Sequence, residues 1–170
     1  QTVIVLEAGG SDKSLSVQMP AASYLYALGN PRFDWLYRSL PDPTRSGRVD
    51  YMPRGKVLGG TSSINGMCYV RGQPEDFDGW AELGCDGWDF SSVLPYFRKS
   101  EDNENGASDL HGTGGPLKIA NLRVRHPLSD AFLQAWAGAG LPLTEDINAV
   151  PQRGMGYLQT NQWRGQRWSA

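Results

Sequence analysis

The run "RGKVLGGTSSINGMCYVRG", residues 54–72, constrains this chain more than any other stretch. Glycine loses more backbone freedom on folding than any other residue. The cluster Gly55, Gly59 and Gly60 is therefore expected where geometry demands it. Adjacent glycines let backbone amides approach a bound group with no Cβ in the way. Thr61, Ser62 and Ser63 can cap a helix that starts there. The amide-rich amino end of such a helix favours anionic groups. Asn65 and Met67 would then lie in its first turns. A plain Gly-Gly turn into a helix accounts for the same spacing, and spacing alone does not separate the two readings.

A second signal lies at the other end. "TVIVL" (2–6) is a continuous run rich in β-branched residues, which suits a strand buried on both faces of a parallel sheet. It runs into Glu7 and then Gly9-Gly10. A carboxylate at the carboxyl end of such a strand can accept hydrogen bonds from the ribose hydroxyls of an adenine dinucleotide. The Gly-x-Gly-x-x-Gly loop that should precede it by roughly 20 residues is not in this sequence. Taken alone, Glu7 also reads as an ordinary solvated strand cap.

Between these signals, residues 11–53 carry five prolines and the aromatics Tyr24, Tyr26, Phe33, Trp35 and Tyr37. That density of aromatics implies an ordered excursion, not a linker. Three helices follow. One spans 74–83, with Pro74 in its first turn and Gly84 closing it. Another spans 91–100, with Val93 and Phe97 four apart. The third spans 127–139, where Leu128, Ala131, Phe132, Ala135, Trp136 and Ala139 form one apolar face and Gly140 ends it. "HGTGGPLKIA" (111–120) reads as a Gly-rich turn into a strand, and "GMGYLQTNQW" (154–163) as another strand.

The bulk composition excludes several function classes. With 170 residues, 39% hydrophobic and 20% charged, the chain is an ordinary globular sequence. A net charge of −2 without a basic block argues against a nucleic-acid partner. No apolar run reaches the roughly 18 residues of a membrane span. Cys68 and Cys85 show no metal-binding spacing and read as two buried thiols. The acidic clusters "PEDFD" (74–78) and "EDNEN" (101–105) lack the pairing of a metal site and read as helix-start acids and solvated faces. His111 lies in the "HGTGG" turn and His126 precedes Pro127; both read as turn or capping histidines, not general bases. The absence of an initiator Met, and the start directly on a strand, give the sequence the look of an internal piece of a longer protein.

"GKVLGGTSSINGMCYVRGQPEDFD" resembles the first signature of the glucose–methanol–choline (GMC) family of flavin oxidoreductases, matching it at Gly55, Lys56, Leu58, Gly59, Gly60, Thr61, Ser62, Ile64, Asn65, Tyr69, Gly72 and Asp78. "VLEAGG", "QMPAA", "NPRFDWLY", "GWDFSSVLPYFRKSE", "HGTGGPL", "DINAVPQRGMGY" and "GQRWSA" resemble the same family in order, so nearly the whole chain is covered. "QMPAA" and "INGMCYVRG" are most similar to its bacterial choline-dehydrogenase-like alcohol dehydrogenases.

The resemblance implies an α/β chain: part of an FAD-binding Rossmann-type domain, lacking its first strand and phosphate loop, over 1–120. The start of a substrate-binding α+β domain would follow over 121–164, with 165–170 returning towards the flavin. It implies that 55–67 wraps FAD, with Val57, Gly59, Gly60 and Thr61 near the pyrophosphate and flavin, Asn65, Gly66 and Met67 along the isoalloxazine edge, and Glu7 on the adenosine ribose. Some members carry a histidine bonded to the flavin where this sequence has Ile64, so FAD is expected to be non-covalent. The implied reaction is oxidation of an alcohol, choline or another primary alcohol, with oxygen or a quinone-like carrier taking the electrons. The family's catalytic histidine would lie downstream of residue 170, so no catalytic residue is expected in this chain, which alone should be inactive and bind FAD poorly. A hydroxynitrile lyase on the same fold and a non-catalytic binding module are the alternatives.

Overall fold

The computed structural model describes residues 2–170, which fall into two compact units. The first comprises the chain through Met67 together with Gln162–Ala170; the second is Cys68–Asn161.

The first unit is built from short elements around a small apolar core of Val17, Ala27, Phe33, Val57 and Ile64. Leu15–Gln18, Pro20–Ala22 and the wider turn Ser23–Ala27 are successive helical segments. Tyr37–Arg38 pairs antiparallel with Tyr51–Met52, and Gln162–Trp163 with Gln166–Arg167. The 11–53 stretch is thus an ordered excursion, as its aromatics imply. Asp34, only 1% exposed, ties it together by accepting from the Gly29, Leu36 and Arg54 amides and from the Tyr51 hydroxyl. Burial pushes the Asp34 carboxyl up, but those four donors together hold it below the usual carboxylate range.

The "TVIVL" expectation is corrected here. Residues 2–6 form no strand, and Val3, Ile4, Val5 and Leu6 are 77–91% exposed. A β-branched run becomes a buried strand only when neighbouring strands supply ladder partners on both sides, and the described residues supply none.

In the second unit, four short strands form one sheet: β1 (Cys68–Tyr69), β2 (Glu101–Asn103), β3 (Leu117–Asn121) and β4 (Gln159–Thr160), in spatial order β1-β4-β3-β2. The β2–β3 pair is parallel, with Glu101 opposite Leu117; the other pairs are antiparallel. The three helices stand where periodicity puts them: α1 (Pro74–Glu82), α2 (Phe90–Ser100) and α3 (Pro127–Gly138). Asp76 closes a capping box on the Gln73 amide, Asp89 caps α2 through the Ser92 amide, and His126 caps α3 by accepting from the Leu128 amide. Phe77 packs edge-on against Trp80 and Phe97, joining α1 to α2. The apolar face of α3 is present but uncovered: Leu128 is 73% exposed and Phe132 57%. Cys68 and Cys85 are exposed, not buried, and form no disulfide.

The reading of "EDNEN" as a solvated face is also corrected. Glu101 and Asn103 point inward from β2 and are 0% and 4% exposed. Glu101 Oε2 accepts from Arg71 Nη2 at 2.5 Å and from the Gly112 amide at 3.1 Å. Its Oε1 meets His111 Nδ1 and Asn103 Nδ2, each at 2.8 Å. His111 Nε2 lies 3.0 Å from Asp146 Oδ2. Strand alternation put Glu101 inside, and two cationic side chains compensate its charge there. His111 is therefore a turn histidine that is also a buried ion-pair partner.

This network carries a pH signature. The hydrogen bond to Glu101, opposed by burial and reinforced by Asp146, raises the His111 pKa above its ordinary 6.5. Its stabilising contribution is complete below 6.5 and is lost as pH rises through the raised folded value. Burial pushes Glu101 up, but His111, Asn103, the Gly112 amide and Arg71 outweigh it and hold it below 4.5. That contribution is present above 4.5 and is lost as pH falls through the lowered value. Urea denaturation across pH should therefore show a stability component that is flat between these limits, and His111→Asn should remove its decline on the alkaline side. Glu101→Ala strands Arg71 and His111 and should destabilise the protein by about 3–5 kcal/mol.

Candidate functional site

Residues 54–67 of the run, together with Glu7, lie in the first unit, where neighbouring segments hold them in place; 68–72 belong to the second. On one edge, the Lys56 amide donates to Phe33 O at 2.8 Å and the Trp35 amide to Arg54 O at 2.9 Å. On the other, the Leu58 amide donates to Gly10 O at 2.9 Å, and Gly10 and Val57 form a parallel bridge. That bridge brings Gly9-Gly10 alongside Lys56-Val57, backbone against backbone. Glu7 is exposed, and its Oε1 accepts from the Gly9 amide at 2.7 Å. Val57, expected at the cofactor, is 0% exposed as a whole residue, and its carbonyl accepts from the Gly60 amide at 2.7 Å.

The glycines are needed for two different reasons. At Gly55, a Cβ would stand 2.1 Å from Gly60 O, so the two limbs of the turn touch backbone to backbone. Gly59 and Gly60 have φ of 84° and 55°, the left-handed region, and a Cβ at Gly60 would point into open space. At Gly59 a Cβ would stand 2.5 Å from Ser63 Oγ and 2.9 Å from Ala170 O, so of the two glycines Gly60 is the one that faces outward.

The hydroxyl run does not cap an α-helix. Gly60–Ser63 is a single 3₁₀ turn, and Asn65 and Met67 lie beyond it. The three hydroxyls stitch the loop to itself instead. The Gly55 amide donates to Thr61 Oγ1 (3.1 Å), Ser62 Oγ donates to Gly59 O (2.6 Å), and Ser63 Oγ donates to Leu58 O (2.6 Å). A chain whose hydroxyls satisfy the carbonyls of a Gly-Gly turn leaves its helix unextended.

After the turn, Asn65 Oδ1 accepts from the Met67 amide at 2.9 Å. Met67 adopts φ of 61°, a left-handed conformation that costs a non-glycine residue about 1–2 kcal/mol. Asn65 Oδ1 also accepts from Arg167 Nη1 at 2.9 Å, and Asn65 O from Arg167 Nη2 at 2.7 Å. Sequence reasoning missed Arg167, because its partners at 17, 23, 62 and 65 share no spacing with it. Ile64 is 1% exposed and packed in the core. Among the described residues, no cluster of His, Cys, Asp and Glu could hold a metal ion, and no helix is long and apolar enough to cross a membrane.

The two glycine requirements predict different penalties. Gly60→Ala should cost about 1–2 kcal/mol, the strain of a left-handed alanine. Gly55→Ala should cost more, about 3 kcal/mol, because two backbone limbs must part. Chemical denaturation of the two variants checks the order.

Known proteins are similar to this chain along nearly its whole length. A profile described as GMC oxidoreductase matches residues 4–170. The chain is 47% identical over 169 residues to an oxygen-dependent choline dehydrogenase of Sinorhizobium medicae (strain WSM419), covering 99% of this chain and 31% of that protein. It is 45% identical over 177 residues to the mitochondrial choline dehydrogenase of Homo sapiens, covering 100% of this chain and 30% of that one. Among solved structures it is similar to pyridoxine 4-oxidase from Mesorbium loti, with a TM-score of 0.86, 34% identity and coverage of 95% of this chain and 32% of that chain. An FAD-dependent oxidoreductase from Chaetomium thermophilum gives a TM-score of 0.82 at 27% identity, covering 96% and 30%. The chain thus spans about a third of the relatives it matches. With a family match over residues 4–170 and a fold shared with these structures, this chain belongs to the GMC oxidoreductase family.

Proposed function

We propose that the chain is part of an FAD-dependent oxidoreductase acting on the CH–OH group of an alcohol, with choline or another primary alcohol as substrate. The observation that carries this reading is the left-handed Gly59-Gly60 turn, open at Gly60 and entered from Val57 where Gly10 pairs with it, in a chain 47% identical to a choline dehydrogenase. The residues fit a dinucleotide. Gly60 offers backbone to an anionic pyrophosphate with no Cβ in the way, and Gly59 and Thr61 flank it. Asn65, Gly66 and Met67 form the continuation that would border the isoalloxazine ring. Glu7 offers a carboxylate to the adenosine ribose after releasing the Gly9 amide. Ile64 is an alkane buried in the core, which supports non-covalent attachment as far as this position is concerned.

FAD supplies the electron acceptance when bound, taking hydride from the carbinol carbon. The residues of this chain bind and orient the cofactor, and the base that takes the hydroxyl proton is assigned to the longer protein. Residues 1–120 are assigned to an incomplete FAD-binding domain, 121–164 to the start of the substrate-binding domain, and 165–170 to the return towards the flavin. The last assignment is supported by the grouping of Gln162–Ala170 with the first unit. Oxygen or a quinone-like carrier is the proposed electron acceptor.

An absorbance spectrum of the full-length protein tests this reading. Flavin bands near about 450 nm should appear and bleach on anaerobic addition of one alcohol from a panel that includes choline. Bands that persist with every alcohol would replace the redox reading with a lyase or a binding role, and a protein without flavin would refute the assignment of 55–67. The 170-residue chain alone should show no alcohol-dependent flavin reduction.

A further inference from the structure

Arg167 is 2% exposed, and all five of its N–H groups are used. Nε donates to Val17 O (3.2 Å), Nη1 to Ser62 O (2.9 Å) and Asn65 Oδ1 (2.9 Å), and Nη2 to Ser23 Oγ (2.6 Å) and Asn65 O (2.7 Å). Every acceptor is neutral. Among the described residues no carboxylate pairs with this guanidinium, whereas the other deeply buried arginine, Arg71, pairs with Glu101. Burial alone pushes Arg167 down to about 10, so it keeps its proton at neutral pH. Removing a charge from water is expensive, and a neutral cage compensates it only in part. Among the described residues this charge meets only neutral partners, so an anion held by the adjacent loop would compensate it.

The position of the charge says which anion. Three of its five bonds end on Ser62 O, Asn65 O and Asn65 Oδ1, the stretch that follows the Gly59-Gly60 turn. Through Asn65 Oδ1 it also reaches the amide of Met67, the residue held in a left-handed conformation. We propose that Arg167 is a positioning residue of the cofactor site: its fork sets the path of Ser62–Met67, and its charge is the standing counter-charge for the anionic dinucleotide that this loop holds. The inference rests on the FAD reading above and extends it to a residue outside the glycine run.

Two substitutions in the full-length protein separate geometry from charge. Arg167→Lys keeps the charge but offers three donors to five acceptors. Ser23→Asp sets a carboxylate beside Nη2, cancelling the charge while keeping the arginine and its bonds to Ser62 and Asn65. The readouts are the FAD dissociation constant of the apoprotein, the flavin absorption maximum and the flavin midpoint potential. Arg167→Lys should weaken FAD by about tenfold and move the absorption maximum. Ser23→Asp should weaken FAD by a similar factor and lower the potential, because an anionic reduced cofactor loses its counter-charge. A Ser23→Asp protein with wild-type affinity and potential overturns the charge role. An Arg167→Lys protein with wild-type affinity and spectrum overturns the positioning role. Should Arg167→Lys fail to fold, Ser23→Asp still decides the charge role, and wild-type affinity in it would reduce Arg167 to a structural residue. Absence of flavin from the wild-type protein is a different result, and refutes the FAD reading itself.

Discussion

The backbone of Arg54–Leu58 is hydrogen-bonded along both edges, to Phe33–Trp35 on one side and to Gly10 on the other. Most of the first unit follows from that double attachment. It fixes the start of the glycine turn, sends Val57 into the core with Val17, Ala27, Phe33 and Ile64, and pairs Gly10 with Val57 at the entry to that turn. The turn then needs no helix to hold it. Three hydroxyls and the contact of Gly55 with Gly60 O do that work locally.

Two buried arginines show two solutions to the same electrostatic problem. Arg71 is paired with Glu101, which in turn holds His111, so the charges of the second unit are compensated within the chain. Arg167 is surrounded by carbonyls, an amide oxygen and a hydroxyl. A closed ion-pair network suits a structural hub, because breaking it leaves a buried charge unpaired. A cage of neutral acceptors satisfies the donors and leaves the net charge in place. The contrast argues for structure at Arg71 and for ligand-linked function at Arg167.

How far the sequence was legible depended on how local the determining interactions are. α1, α2 and α3 agree with their expected spans to within a residue or so, because caps and periodicity are local. The His126 and Asp76 caps were legible for the same reason. The glycine run was legible as a close backbone approach, but its hydroxyls were misassigned to a helix cap. Spacing does not tell an i→i+3 cap from hydroxyls turned back onto the preceding turn. Glu101 was misjudged as solvated because its partners lie 30 residues upstream and 10 downstream. Arg167 was invisible because its partners lie 102 to 150 residues away. "TVIVL" had the right composition for a strand, but a strand is a property of a sheet, and no described neighbour pairs with it.

The most direct test of the account is the crystal structure of the full-length protein purified with its natural cofactor. The account predicts a flavin dinucleotide against Gly59–Met67, with backbone amides of that run within about 3 Å of its oxygens. It also predicts Arg167 still bonded to Asn65 behind the loop. A flavin bound elsewhere, with 55–67 packed only on its own core, would contradict it.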